Sequence, residues 1–273
     1  MIFDDTQCTL GEGPLWHPLR KQLFWFDIIG KRLHTKGQHW QFDTYVSAAG
    51  WVNENRLIIA TARALVLFDL TTGKHDKVCD LEADNPVTRS NDGRADPQGY
   101  FWIDTMEIKK EVGAGAIYRY YRGELRLLYS AITIPNAICF TPDGRTAYFT
   151  DTPTQQIMRV ALDKDGWPTG QPVLHIDLQG TDFRPDGAVV DAKGKLWNAQ
   201  WGVGSVAGYT PEGDFIESYS FAAAQTTCPA FGGDDLKTLY CTSAAEDLNG
   251  PEEGKTFATP TDHVGQSEHQ VIL

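Results

Sequence analysis

The chain has 273 residues, 24 of them basic and 36 acidic, for a formal net charge of −12. That balance argues against nucleic acid or an anionic membrane as a partner, because both need clustered Lys and Arg. With 41% hydrophobic, 22% charged and 11% aromatic residues, it reads as a soluble globular chain, better supplied for strands than for helices and large enough for a substantial core.

The opening MIFDDTQCTL has no basic stretch followed by an apolar one, so no secretory signal is expected there. No apolar run approaches the roughly 20 residues that cross a bilayer. The five cysteines, Cys8, Cys79, Cys139, Cys228 and Cys241, are odd in number and lack close metal-type spacing. Free thiols in a reducing cytoplasm are the simplest account, so a cytoplasmic location is expected.

Along the chain one phrase, a turn followed by a short strand-like run, recurs six times. The copies are HPLRKQLFWFDI (17–28), NENRLIIAT (53–61), DPQGYFWIDT (96–105), TPDGRTAYFTDT (141–152), DAKGKLWNAQ (191–200) and GGDDLKTLYCTS (232–243). Their central residues, Trp25, Ile59, Ile103, Phe149, Asn198 and Cys241, lie 34 to 49 residues apart. A period of about 45 residues built from strands and turns is the pattern of β-propeller blades.

Between the copies lie further strand pairs, joined at TTGK, YRGE, DKDG and PEGD by the Gly and Asp that tight turns require. Each repeat thus reads as four antiparallel strands. The expectation is an all-β, six-bladed propeller, one domain over 1–273. The last repeat alternates weakly, so the N-terminal MIFDDTQ is expected to supply its missing strand and close the ring. Helix should be scarce, the most tolerant stretch being Phe221–Gln225.

Register turns the repeat into a candidate site. Counting back 12 or 13 residues from each central residue reaches the start of the innermost strand, beside the central channel. Those positions are Glu12, Ser47, Asn91, Asn136, Asp186 and Cys228. Glu, Asn and Asp converging on one axis suit a hard divalent cation, whereas Cys and His would point to a softer one. The competing reading is that NDG and PDG are ordinary turn sequences. TPDG at 141–144 is such a turn, with Asp143 at the far end of its blade. His17, before Pro18, reads as a turn residue, and GVGSVAG (202–208) as a strand entry without phosphate-binding character.

The phrases LGEGPLWHP…LFWFDI, RSNDGRADPQG, IPNAICFTPDG, RPDGAVVDAKGKLW and AFGGDDLKTLYCTSA resemble, in order, the blades of the SMP-30/gluconolactonase family. The resemblance runs from about residue 8 to 245. It implies a six-bladed propeller that hydrolyses sugar lactones with one divalent metal ion. The metal ligands it implies are Glu12 from GE-x-P, Asn136, and Asp186 from PDG, three positions that the register had reached on its own. Calcium, zinc, magnesium, manganese or iron would all suit the donors.

The resemblance also implies substrate binding by Arg89 and Asn91 of RSNDG. The family's further substrate-contacting Glu aligns with Lys109, leaving Glu107, two residues earlier, as the candidate. Asp104 stands where the family usually has Gly, and Ala137 follows Asn136 where Gly is usual. The implied mechanism is attack on the lactone carbonyl by a water that the metal activates, with Asp186 as general base and Arg89 and Asn91 orienting the sugar. Specificity should come from loops 104–115, 151–156, 200–204 and 243–254, with Trp201 as a candidate sugar platform. The partner expected is therefore a small sugar lactone. Two other readings remain at this stage, a metal-dependent esterase or organophosphate hydrolase, and a non-catalytic calcium-binding propeller.

Overall fold

The computed structural model describes residues 1–273, and its regular structure is almost wholly β. Twenty-four strands form six four-stranded antiparallel sheets. In each blade the strands follow one another outwards from the axis. The innermost are Gly11–His17, Val46–Asn53, Thr88–Ala95, Pro135–Phe140, Arg184–Val190 and Thr226–Gly232. Each contacts the next around the ring, and the sixth returns to the first. The six repeated phrases all fall on the second strand of a blade, with Trp25, Ile59, Ile103, Phe149, Asn198 and Cys241 buried.

Six apolar clusters account for the six interfaces between neighbouring blades. Blades 1 and 2 share Phe24, Phe26, Leu57 and Ile59, while blades 5 and 6 share Trp197, Val206, Phe231 and Leu239. Alternation along each strand sends successive side chains to opposite faces, so each sheet serves two interfaces. The ring closes as expected. Ile2–Asp4 pairs antiparallel with Thr256–Pro260 and becomes the outermost strand of blade 6.

Turn chemistry is repeated along with the strands. In blades 3, 4 and 5, Asp96, Asp143 and Asp191 accept a hydrogen bond from the backbone N–H two residues on, at 3.0, 3.0 and 2.8 Å. Asp96 and Asp191 also accept from Trp102 Nε1 and Trp197 Nε1. Asp96 is further paired with the buried Arg119 at 2.7 Å, whose guanidinium lies over the Tyr100 and Trp167 rings.

Three expectations are corrected or refined. Phe221–Gln225 is not helical; its backbone is taken up by other strands, with Ala224 O accepting from Gly202 N and Gly204 N and Gln225 bridging to Trp201. The one helical turn is a 3₁₀ turn at Thr152–Thr154. His17 ends a strand and is buried, its ring held between Asn53 O at 3.1 Å and Arg20 N at 3.3 Å.

After the last strand, the chain from Thr261 to Leu273 crosses the far ends of the inner strands. It bonds in turn to blade 6 through Leu236 O, to blades 5 and 4 through Gln266 to Val190 O and Phe140 O, and to blade 2 through Trp51. Glu268 forms a largely buried ion pair with Arg94 of blade 3. No helix is long and apolar enough to cross a membrane. None of the five cysteines is disulfide-bonded, and burial pushes the Cys79 thiol up to about 11, where thiolate is scarce at neutral pH.

Candidate active site

The inner strands enter at the end of the ring where loops 104–115, 151–156, 200–204 and 243–254 emerge. A cavity of about 240 Å³ opens there, and all four loops contribute to its wall, through Met106 and Lys110, Thr152 and Pro153, Trp201, and Glu246. Glu12, Arg89, Asn91, Asn136 and Asp186 line the same cavity. Five of the six site residues expected from sequence are therefore brought together.

A shared backbone device aims them. All six inner strands shift register near their channel-facing residue, at Glu12/Leu15, Val46/Ala48, Ser90/Gly93, Asn136/Cys139, Pro185/Ala188 and Thr226/Pro229. A β-bulge leaves a residue unpaired and re-aims its side chain, which is why bulges gather beside functional sites. The glycines of GEGP and PDG are needed at these bends. Gly13 has φ +53 and a Cβ there would meet Ser47 O, while a Cβ on Gly187 would meet the Cys228 side chain. Ala137 occupies the same kind of position at φ +62.

A hydrogen-bond relay fixes the amides. Arg89 Nη1 donates to Asn91 Oδ1 at 2.8 Å, and Asn91 Nδ2 donates to Asn136 Oδ1 at 3.2 Å and Pro135 O at 3.0 Å. Asn136 Nδ2 donates to Thr152 Oγ1 at 3.0 Å, and Thr152 donates to Pro185 O beside Asp186 at 2.9 Å. Asn136 Oδ1 keeps a second lone pair. Asp186 is held through its backbone, because Asn198 Nδ2 donates to Asp186 O at 2.8 Å and to Gly187 O at 3.2 Å.

Glu12 and Asp186 are buried, yet neither has a cation within ion-pair distance. The buried ion pairs are elsewhere, at Arg119–Asp96 and Arg94–Glu268. Burial, then the negative charges of Asp186 and Asp92, hold the Glu12 carboxyl well above the usual carboxylate range. Asp186 is raised by burial and then by Asp92. Asp92 is itself buried and raised, with Oδ1 and Oδ2 taken by Gly93 N at 2.8 Å and Ile138 N at 2.9 Å. Two buried carboxylates with no cation in ion-pair contact, beside an amide oxygen with a free lone pair, fit a hard divalent cation.

Glu107 is corrected. It is buried outside the cavity wall, where Oε2 accepts from Lys109 N at 2.6 Å and Glu111 N at 3.1 Å, so it shapes its own loop. Lys109 is exposed, and the charged side chain of this loop that reaches the cavity is Lys110. Sequence reading also missed Thr152, Asn198, Asp27 and Asp151. Asp27 accepts from Leu10 N at 3.1 Å and Asp151 from Ile134 N at 2.9 Å, tethering the two loops that carry these apolar wall residues. Asn198 carried a signal, being the polar member among six otherwise apolar or thiol central residues.

Fold and cavity together define a propeller with a polar small-ligand site on its axis. The chain belongs to the family described as SMP-30/Gluconolactonase/LRE-like region, whose profile matches residues 10–245. A Rhizobium meliloti protein with the provisional name sugar lactone lactonase is 41% identical, over 95% of this chain and 92% of its own. The 6-deoxy-6-sulfogluconolactonase of Pseudomonas putida is 31% identical, over 95% and 94%. A solved Agrobacterium tumefaciens structure, described as a calcium-binding protein, regucalcin, superposes with a TM-score of 0.97 at 40% identity, covering 100% of this chain and 97% of that one.

Proposed function

We propose that this chain is a metal-dependent hydrolase of sugar lactones. The observation that carries the proposal is the pair of buried carboxylates, Glu12 and Asp186, unpaired at one polar cavity on the propeller axis. Relatives named as lactonases support the reaction class, and the calcium-binding description of the Agrobacterium structure supports a divalent ion. In this reading Glu12, Asn136 and Asp186 hold the ion. When bound, the ion supplies Lewis-acid polarisation of the ester carbonyl.

The chain's own residues do the rest. Asp186, a buried carboxylate facing the cavity, takes the proton of the attacking water. Arg89 spends Nη1 on Ser90 O and Asn91 Oδ1, which fixes the guanidinium plane and leaves other N–H groups for lactone hydroxyls. The relay through Asn91 and Thr152 keeps Asn136 from rotating its amide. Trp201 and Met106 offer apolar surface to a sugar face.

A panel of aldonolactones and open-chain esters, followed by acid release with chelated and metal-reloaded protein, tests the proposal. Metal-restored hydrolysis of lactones above the spontaneous rate, lost in Asp186→Ala, is expected. Turnover of open-chain esters with lactones untouched would overturn it.

A further inference from the structure

The charge around the cavity is balanced, three cations against three carboxylates, where the chain as a whole is strongly acidic. In a protein of net charge −12, the wall carries Arg89, Lys110 and Arg184, with Glu246 as the acidic residue at the mouth. Glu12 and Asp186 lie on the inner strands below, and a divalent ion there would offset both. The remaining balance facing an incoming ligand is then positive.

The two mouth cations are weakly committed. Arg184 precedes Asp186 by two residues on the same inner strand and is exposed, and no carboxylate lies within ion-pair distance of it. Its guanidinium Nη1 donates only to the neighbouring Phe183 O, at 3.2 Å. Lys110, from blade 3, reaches Glu246, from the loop of blade 6 on the opposite side of the ring, at 3.5 Å. Both side chains of that pair are substantially exposed, and such pairs contribute little. An anion arriving at the mouth can therefore replace Glu246 as the partner of Lys110 at small cost and find Arg184 free.

We propose that the preferred lactone carries an anionic group at the end remote from its ring carbonyl, received by Arg184 and Lys110 at the mouth. This rests on the lactonase reading, since it assigns the carbonyl end to the ion site and the far end to the rim. Carboxylate, phosphate and sulfonate share the required chemistry. Arg184 presents a planar fork that suits all three, whereas Lys110 acts as a point charge.

The experiment uses the metal-loaded protein and glucose-derived lactones ending at the terminal carbon in CH₂OH, carboxylate, phosphate or sulfonate. The expected result is a kcat/KM at least tenfold higher for one or more anionic lactones than for the neutral one, carried mainly by KM. That preference should fall at least fivefold in Arg184→Ala, fall again in Lys110→Ala/Arg184→Ala, and shrink in 0.5 M salt. The favoured ending identifies the group. A second arm measures equilibrium binding of two stable open-chain acids, gluconate and glucarate, to the same protein. It decides the matter even if no lactone is turned over, an outcome that would sink the lactonase reading alone. Glucarate bound at least tenfold more tightly than gluconate, with the difference lost in Arg184→Ala, upholds the anion site. Equal affinities, or a preference that survives both substitutions, overturn it.

Discussion

Ala137 tests how the ring holds the Asn136 strand in an unfavourable backbone conformation. It follows Asn136 inside a bulge, has φ +62, is fully buried, and belongs to the apolar cluster between blades 4 and 5. A left-handed conformation costs a non-glycine residue roughly 1–2 kcal/mol, which Ala137→Gly would recover. Against that, removing the buried methyl loses about 0.8 kcal/mol. The freer unfolded chain costs roughly 0.4–1 kcal/mol more. Gain and loss cancel, so Ala137→Gly should change stability by less than about 1 kcal/mol. Ala137→Val places a branched side chain at the same φ in a fully buried position, and should cost about 3 kcal/mol while disturbing the seat of Asn136. Urea unfolding of metal-free protein, compared at constant m, reads both. A stabilisation near 2 kcal/mol in the glycine variant would show that strain dominates and refute the balance argued here.

Other outcomes follow from the same structure. The folded-state carboxyls of Glu12, Asp186 and Asp104 are raised, chiefly by burial, so the folded metal-free protein binds protons more tightly than the unfolded chain does. Their contribution to stability should therefore be greatest below the ordinary carboxylate range and fall as pH rises through the raised values; chelated protein should lose stability relative to Glu12→Gln/Asp186→Asn between pH 5 and pH 8, and a relative gain would contradict this. Asp104 is buried with Oδ2 unpartnered, while Oδ1 accepts from Asp92 N at 2.9 Å. Asp104→Asn keeps that acceptor and should raise metal-free stability more at pH 8 than at pH 5 in paired thermal melts. Glu268→Ala leaves Arg94 buried without its partner on the tail and should cost about 3–5 kcal/mol in denaturant titration; a change under about 1 kcal/mol would show that the tail does not brace the ring.

The sequence carried the ring because propeller geometry is periodic. Each blade repeats one turn-and-strand phrase, so counting from Trp25 or Ile103 reaches Glu12 or Asn91 without knowledge of any contact. The channel residues were legible for the same reason, since a shared register means a shared height on the axis. Glu107 and Lys110 were not: Glu107 ends the second strand of blade 3, opposite Thr88, and accepts from Lys109 N and Glu111 N, while Lys110 lies in the loop beyond, outside the register. The tail was illegible for a different reason. Its bonds to Trp51, Phe140 and Val190 join residues 76 to 217 positions apart, and no local pattern marks such partners. Local preference makes Phe221–Gln225 helix-tolerant, and long-range pairing with neighbouring strands overrides it.

The central claim is that one ion, held by Glu12, Asn136 and Asp186, makes this cavity hydrolytic. The most direct measurement titrates metal into chelated protein while following aldonolactone hydrolysis and bound ion together. Activity should rise in proportion to occupancy and saturate at one ion per chain, with Glu12→Gln and Asp186→Asn failing on both counts. Full activity in chelated protein, or one tightly bound ion with no hydrolysis of any lactone, would contradict the account.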